Sequence, residues 1–170
     1  IWRMTRELGT SMLLISQDRG VLTNYADNIV ELDSGLQKDK VGVKEFISTG
    51  DKAKSSPATK EEARRSESRP VIMAVKHLSK TFSVQKRAYK GLWVRSTSLR
   101  AVDDFNVEIY EGESIGLVGE SGSGKSTVGR CLMGLVDYDD GEILFRGTSI
   151  SALSASERRR LRAKIQIVQQ

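Results

Sequence analysis

Apolar side chains along this 170-residue chain fall into short runs separated by polar stretches. Met12 to Ile15 is an apolar run suited to a buried strand, Val21 to Tyr25 fits a helical turn or two, and Asn28 to Leu32 has the make-up of another strand. With a helix ahead of them, the first piece reads helix, strand, helix, strand. Farther along, Val71 to Val75 starts a strand, and Phe105, Val107 and Ile109 alternate with Asn106, Glu108 and Tyr110, the period of two of a half-buried strand. A turn at Glu111-Gly112-Glu113 leads into Ser114 to Val118, apolar on both faces as a central strand of a parallel sheet is. Lys125 to Leu135 carries helical spacing. Ser154 and Glu157 form a Ser-x-x-Glu capping box before a basic helix, and Ile165 to Val168 resumes a strand-like pattern. The mixture predicts an α/β fold with a parallel core sheet and an antiparallel β portion.

Between Thr49 and Pro70 the pattern stops. The apolar side chains there are Ala53, Ala58 and Ala63, both prolines fall in the stretch, and charges of both signs alternate with serines. Such a segment buries too little surface to offset its ordering entropy. It reads as a linker over 49–70, between a first piece at 1–48 and a second at 71–170. The sequence opens on Ile1, and the chain is expected to be a piece of a longer protein.

Composition adds limits. The chain is 38% apolar and 29% charged, and its longest apolar run, Val71 to Val75, is far short of the roughly 20 residues that cross a bilayer. A single cysteine, Cys131, excludes an internal disulfide and a Cys-based zinc site and suits a reducing compartment. The net charge of +5 is weak evidence for a polyanionic partner. The basic run Arg158, Arg159, Arg160, Arg162 and Lys164 has no interleaved aromatics for base stacking, so a solvated helix face is the favoured reading and no nucleic-acid partner is expected. His77, the lone histidine, lacks ligand spacing around it, and Cys131 on its helix reads as core. Trp2 and Trp93 receive no assignment.

The chemistry lies in Gly119-Glu120-Ser121-Gly122-Ser123-Gly124-Lys125-Ser126-Thr127, which satisfies G-x-x-x-x-G-K-[ST] between a buried strand and a helix. A triphosphate is densely anionic, and a loop can wrap it only where side chains leave the backbone clear, so that successive N–H groups converge. The helix N-terminus adds unpaired donors and partial positive charge. Lys125 supplies a full charge to the β and γ phosphates, Ser126 offers a hard oxygen to Mg²⁺, and Thr127 supports the α phosphate. The motif predicts nucleotide binding on a P-loop NTPase-type core. ATPases, GTPases and kinases all meet phosphates in this way, so the loop alone does not choose among them.

The flanks do choose. The stretch AVDDFNVEIYEGESIGLVGESGSGKSTVGRCLMGLVDYDDGEILFRG closely resembles the nucleotide-binding domain of ATP-binding cassette (ABC) transporters, most of all the ATPases of dipeptide, oligopeptide and glutathione importers, which carry a similar loop and a long insertion before it. The insertion here runs from Ser83 to Arg100. In that family an aromatic residue following a Leu-x-Lys-x pattern stacks on adenine, and Leu78-Ser79-Lys80-Thr81-Phe82 places Phe82 in that role, with core filler as the plainer alternative. Ile165 to Gln170 resembles the strand entering the Q-loop. The resemblance implies that Gln170 contacts Mg²⁺ and the attacking water, although Gln169 stands where the family usually has Phe.

Glu7 to Asp18 resembles the strand that ends in the family's switch histidine, and Tyr25 to Leu32 the segment after it. Gln17 occupies the histidine position; it can hydrogen-bond a γ phosphate but cannot change charge, so either hydrolysis is slow or the change is neutral. The order implied is the tail of one cassette, a linker and the head of a second, as in a tandem fused ATPase. No Leu-Ser-Gly-Gly-Gln signature and no apolar strand ending in Asp-Glu occurs in the sequence. The resemblance implies the ATP-hydrolysing subunit of a peptide importer on the cytoplasmic face of the membrane, with ATP and Mg²⁺ as ligands. Its implied partners are permease membrane subunits, a second cassette and, indirectly, a solute-binding protein. The alternatives are a non-hydrolysing nucleotide-binding remnant and an ABC-type ATPase outside transport. If the two pieces share one permuted sheet, Met12 to Ile15 pairs with Ser114 to Val118, Gln17 comes beside the phosphate loop, and exposed apolar edges limit solubility.

Overall fold

Ser114 to Val118 is buried at every position because strands flank it on both edges and side chains cover both faces. The computed structural model describes residues 7–48, 69–87 and 94–164. In chain order the elements are β1 (Met12–Ser16), α1 (Arg19–Tyr25), β2 (Asn28–Asp33), β3 (Leu36–Gly42), α2 (Val43–Ser48), β4 (Val71–Arg87), β5 (Val94–Tyr110), β6 (Ser114–Val118), α3 (Lys125–Leu132), β7 (Asp140–Phe145), β8 (Thr148–Ser149) and α4 (Ala155–Lys164). The strands form one mixed sheet in the order β1-β6-β2-β3-β5-β4-β7-β8.

Both neighbours of β6 come from the first piece. β1 pairs with it in parallel from Met12↔Ser114 to Ser16↔Val118, and β2 pairs in parallel on the other side from Asn28↔Ile115 to Glu31↔Val118. The expected pairing of Met12 to Ile15 with Ser114 to Val118, in one sheet shared by the two pieces, is therefore present. Alternation along these strands builds two cores. Val30 and Leu32 join Ile115, Leu117, Val128, Cys131 and Leu132 beneath α3, while Ile29 and Val118 pack with Leu22 of α1 on the opposite face. Gly116 lets α1 lie close, since a Cβ there would stand 3.3 Å from Leu22 and Ala26.

The antiparallel portion is β4, β5, β7 and β8. β4 and β5 pair from Val71↔Tyr110 to Arg87↔Val94, well past the span that β7 covers. The described part of the insertion is thus the outer half of a two-stranded ribbon. The strand that starts at Val71 runs to Arg87, paired with β5 to its end through several register shifts.

Local signals fit where side chains cap helices. Asp18 Oδ1 accepts from Gly20 N at 2.8 Å and Val21 N at 3.4 Å at the start of α1. At α4, Glu157 N donates to Ser154 Oγ and Ser154 N to Glu157 Oε2, the reciprocal capping box. The helical reading of Lys125 to Leu135 is shortened: α3 ends at Leu132, and Gly134 turns the chain with φ +60. The first piece also holds β3 and α2 beyond the four elements read from sequence. Most of the linker, Trp2, Trp93 and Ile165 to Gln170 lie outside the described residues.

Candidate phosphate-binding site

Residues 119–124 join the end of β6 to the start of α3. The loop cannot stand off from the sheet, because the neighbouring backbones touch it. A Cβ on Gly119 would run into the Leu32 carbonyl at the end of β2, and one on Gly124 into the Ala101 carbonyl of β5. Gly124 also has φ +102, so side-chain-bearing residues are excluded there on two counts. The glycines of the motif therefore do two things. They keep the backbone open at Gly122 and let it lie against the strands at Gly119 and Gly124.

Lys125 folds back over this loop. Its Nζ donates to Gly119 O at 2.8 Å, Glu120 O at 2.6 Å and Ser123 Oγ at 3.2 Å, and the residue is only 6% exposed. Burial holds its ammonium below the ordinary lysine range. A cation gathered among carbonyl oxygens, with its positive charge uncompensated by a carboxylate in those bonds, suits an anion placed over the loop. The first α3 bond runs from Val128 N to Gly124 O, so the amides of Lys125, Ser126 and Thr127 precede the helical ladder. Ser126 is exposed on the first turn, Thr127 half-buried, Ser123 buried, and Glu120, Ser121 and Gly122 lie at the surface. The amides outside the ladder and the Lys125 ammonium are the donors this loop could turn to an anion, and Ser126 is the exposed hydroxyl of the first turn, although Ser123 N is bonded to Glu120 O.

Phe82 is at the root of the ribbon, 36% exposed and paired in register with Leu99. Core filler does not describe it. Leu99 is two residues from Ala101, the contact of Gly124, so the partner strand of Phe82 continues to the phosphate loop. Lys80 Nζ lies 5.5 Å from the ring centroid. Gln17 follows Ser16, which pairs with Val118, so it stands level with Gly119 where the loop begins. Gln170 lies outside the described residues.

The lesser candidates separate from the site. Cys131 is fully buried, and desolvation pushes its thiol up to about 11. His77 is exposed, with Nδ1 2.8 Å from Asp104 Oδ1, and among the described residues no group of His, Cys, Asp and Glu is arranged to hold a metal ion. Arg158 to Arg160 are exposed on α4. No described helix is long and apolar enough to cross a membrane. The supports at Leu32, Gly35 and Ala101 were not visible as site residues in the sequence, because their backbone rather than their side chains meets the loop.

Residues 102–170 match the family described as ABC transporter. Among curated proteins, the oligopeptide transport ATP-binding protein OppF of Salmonella typhimurium is 38% identical over 102 residues, 60% of this chain and 30% of that protein. A putative peptide import ATP-binding protein of Brucella ovis is 45% identical over 79 residues, 46% of this chain and 25% of that protein. The chain thus spans under a third of the length of these relatives. A solved bacterial Atm1-family ABC exporter with ATP bound overlaps 54% of this chain and 14% of its own, at 24% identity and a TM-score of 0.39, too little to add to the argument.

Proposed function

We propose, on the premise that residues 102–170 belong to the ABC transporter family, that this chain binds Mg-ATP at residues 119–127. The observation that carries the reading is the buried Lys125 ammonium, bonded to two loop carbonyls above a glycine cradle. Backbone amides of the loop and helix start hold the phosphate chain, and Lys125 neutralises charge on its β and γ groups. Ser126 would hold Mg²⁺, with Gln170 expected as a second ligand from the sequence, and the ion when bound would supply charge neutralisation. Phe82 offers its exposed ring to the adenine; its strand partner Leu99 lies two residues from Ala101, which backs the loop.

The parent protein, in this reading, is an ATP hydrolase that drives uptake of peptides or a related small solute. Support comes from relatives named for oligopeptide transport and peptide import. It works at the cytoplasmic face of the membrane with permease subunits, a second cassette and an external solute-binding protein. Residues 1–48 are the tail of a first cassette, 49–70 a linker, and 71–170 the head of a second.

Gln17 favours one further reading, binding without turnover. An amide at the level of Gly119 accepts and donates hydrogen bonds but does not take up a proton near neutral pH. Equilibrium binding of a fluorescent ATP analogue tests the main proposal: Lys125→Ala should abolish most binding, and retained affinity would refute the site. Phosphate release by the purified chain separates the two readings, since Lys125-dependent turnover would exclude the binding-only one.

A further inference from the structure

The turn between β2 and β3 is wedged between the phosphate loop and β5. Gly35 N donates to Ser123 O at 3.1 Å, and Gly35 O accepts from Asp103 N at 2.9 Å, so one residue bridges the loop to the strand behind it. The pairing of β3 with β5 consists of Leu36↔Asp103 alone, directly beside this bridge. Ser34 at φ 51 and Gly35 at φ 87 are the two left-handed central residues of the tight hairpin turn that closes Asp33 onto Leu36, so a side chain at Gly35 would be strained there. A Cβ on Gly35 would stand 3.2 Å from Ala101 O and 3.3 Å from Arg100 O, while Ala101 O is also the atom that limits Gly124. Leu32 O, three residues before, backs Gly119. The first piece therefore touches the loop at Gly119 and at Ser123, near its two ends.

We propose that Gly35 is a positioning residue for the phosphate loop, and that seating of residues 28–35 against β6 is energetically coupled to nucleotide binding. The inference rests on the nucleotide-binding reading above. The loop binds anions through backbone groups, whose direction is set by whatever holds the backbone. Here that support belongs to a segment joined to the rest through a linker, so withdrawing it would release Ser123 and Gly119 together. Coupling is reciprocal: if the seated segment favours nucleotide, nucleotide must favour the seated segment.

The test uses the full chain with Mg-ATPγS as probe. Gly35→Ala should raise its dissociation constant about tenfold, the scale of one strained backbone position. Gly147→Ala is the control, since Gly147 has φ 77 but a Cβ there meets nothing within 4 Å; its affinity should be unchanged. In the wild type, saturating Mg-ATPγS should slow amide hydrogen exchange at Gly35 and along β2 by about tenfold while leaving β7 unchanged. That arm needs no variant, so it decides the matter even if Gly35→Ala does not fold. Nucleotide binding with unaltered exchange over residues 28–35 would overturn the coupling, as would equal affinities of the two alanine variants. A wild type that does not bind Mg-ATPγS would instead refute the nucleotide reading, and this inference with it.

Discussion

Lys40 Nζ and Glu113 Oε1 lie 2.7 Å apart, joining β3 of the first piece to the turn that introduces β6 in the second. Glu113 is 1% exposed and also accepts from Asn28 Nδ2 at 2.6 Å and Tyr110 N at 2.9 Å. Around it, Ser114 N donates to Asp27 Oδ2, Ser11 Oγ to Tyr110 O, and Gly112 N to Ser11 Oγ. A polar seam therefore sets the register of β1 and β2 on β6 at the end of the sheet where β6 begins. At the other end of the same strands lies the phosphate loop.

Removing the carboxylate should separate the pieces. Glu113→Ala leaves a lysine ammonium, an amide and a backbone N–H without their shared acceptor, a loss of about 3 kcal/mol by analogy with broken buried ion pairs. Glu113→Gln keeps the volume and part of the hydrogen bonding and should cost less. Urea unfolding of the three proteins checks the order. Equal midpoints for wild type and Glu113→Ala would show that the seam contributes nothing.

The parts legible in the sequence were those where one side chain or one period carries the information. Ser114 to Val118 announces itself by five positions fit for burial, the Ser154 and Glu157 box by spacing, and the loop by its glycines and lysine. β3 was not legible: in Leu36–Gly42 Leu36 and Val41 are the apolar residues, and the strand exists because β2 offers it an edge after a two-residue turn. β7 was missed for a similar reason, since Asp140-Gly141-Glu142 hides its start and β4 supplies its partner. The loop's supports were invisible because carbonyls of Leu32 and Ala101 have no residue-specific signature. Family resemblance, rather than period or spacing, suggested that β1 and β6 would meet.

Lys125 makes a pH-dependent prediction. Burial lowers its pKa in the free chain, so charging it costs stability at every pH below that lowered value. The cost disappears as pH rises from there through the unfolded value of about 10.4. A bound phosphate chain favours the ammonium, so nucleotide binding within this alkaline window should take up a proton. Affinity should fall as pH rises beyond the lowered value. Calorimetry in buffers of different ionisation enthalpy measures the uptake, which Lys125→Arg should lack because guanidinium stays charged. No uptake in the wild type at any alkaline pH would contradict the role given to this amine.

Cys131 should behave as a core residue. With its thiol at about 11 and no exposed surface, it is nearly all protonated at pH 8, with a thiolate fraction of roughly 0.001 against about 0.2 for a free cysteine. Iodoacetamide should therefore label the native chain at least about a hundredfold more slowly than the urea-unfolded chain. Comparable rates would mean that the α3 side of the core opens freely.

Phe82 tests whether the base and the phosphates are held by separate parts of the protein. Its ring belongs to the ribbon, reached through Leu99 and Ala101, whereas the phosphate contacts belong to the loop and α3. Stacking of a base on an aromatic side chain contributes about 1–3 kcal/mol. Phe82→Ala should accordingly weaken Mg-ATP binding by roughly 5- to 150-fold while leaving inorganic triphosphate, which has no base, nearly unchanged. Phe82→Tyr retains an aromatic face and should restore ATP binding. Competition of both ligands against one fluorescent analogue gives the two constants in a single experiment. Equal losses for ATP and triphosphate would mean that Phe82 acts by holding β5, and through Ala101 the loop, rather than by meeting adenine.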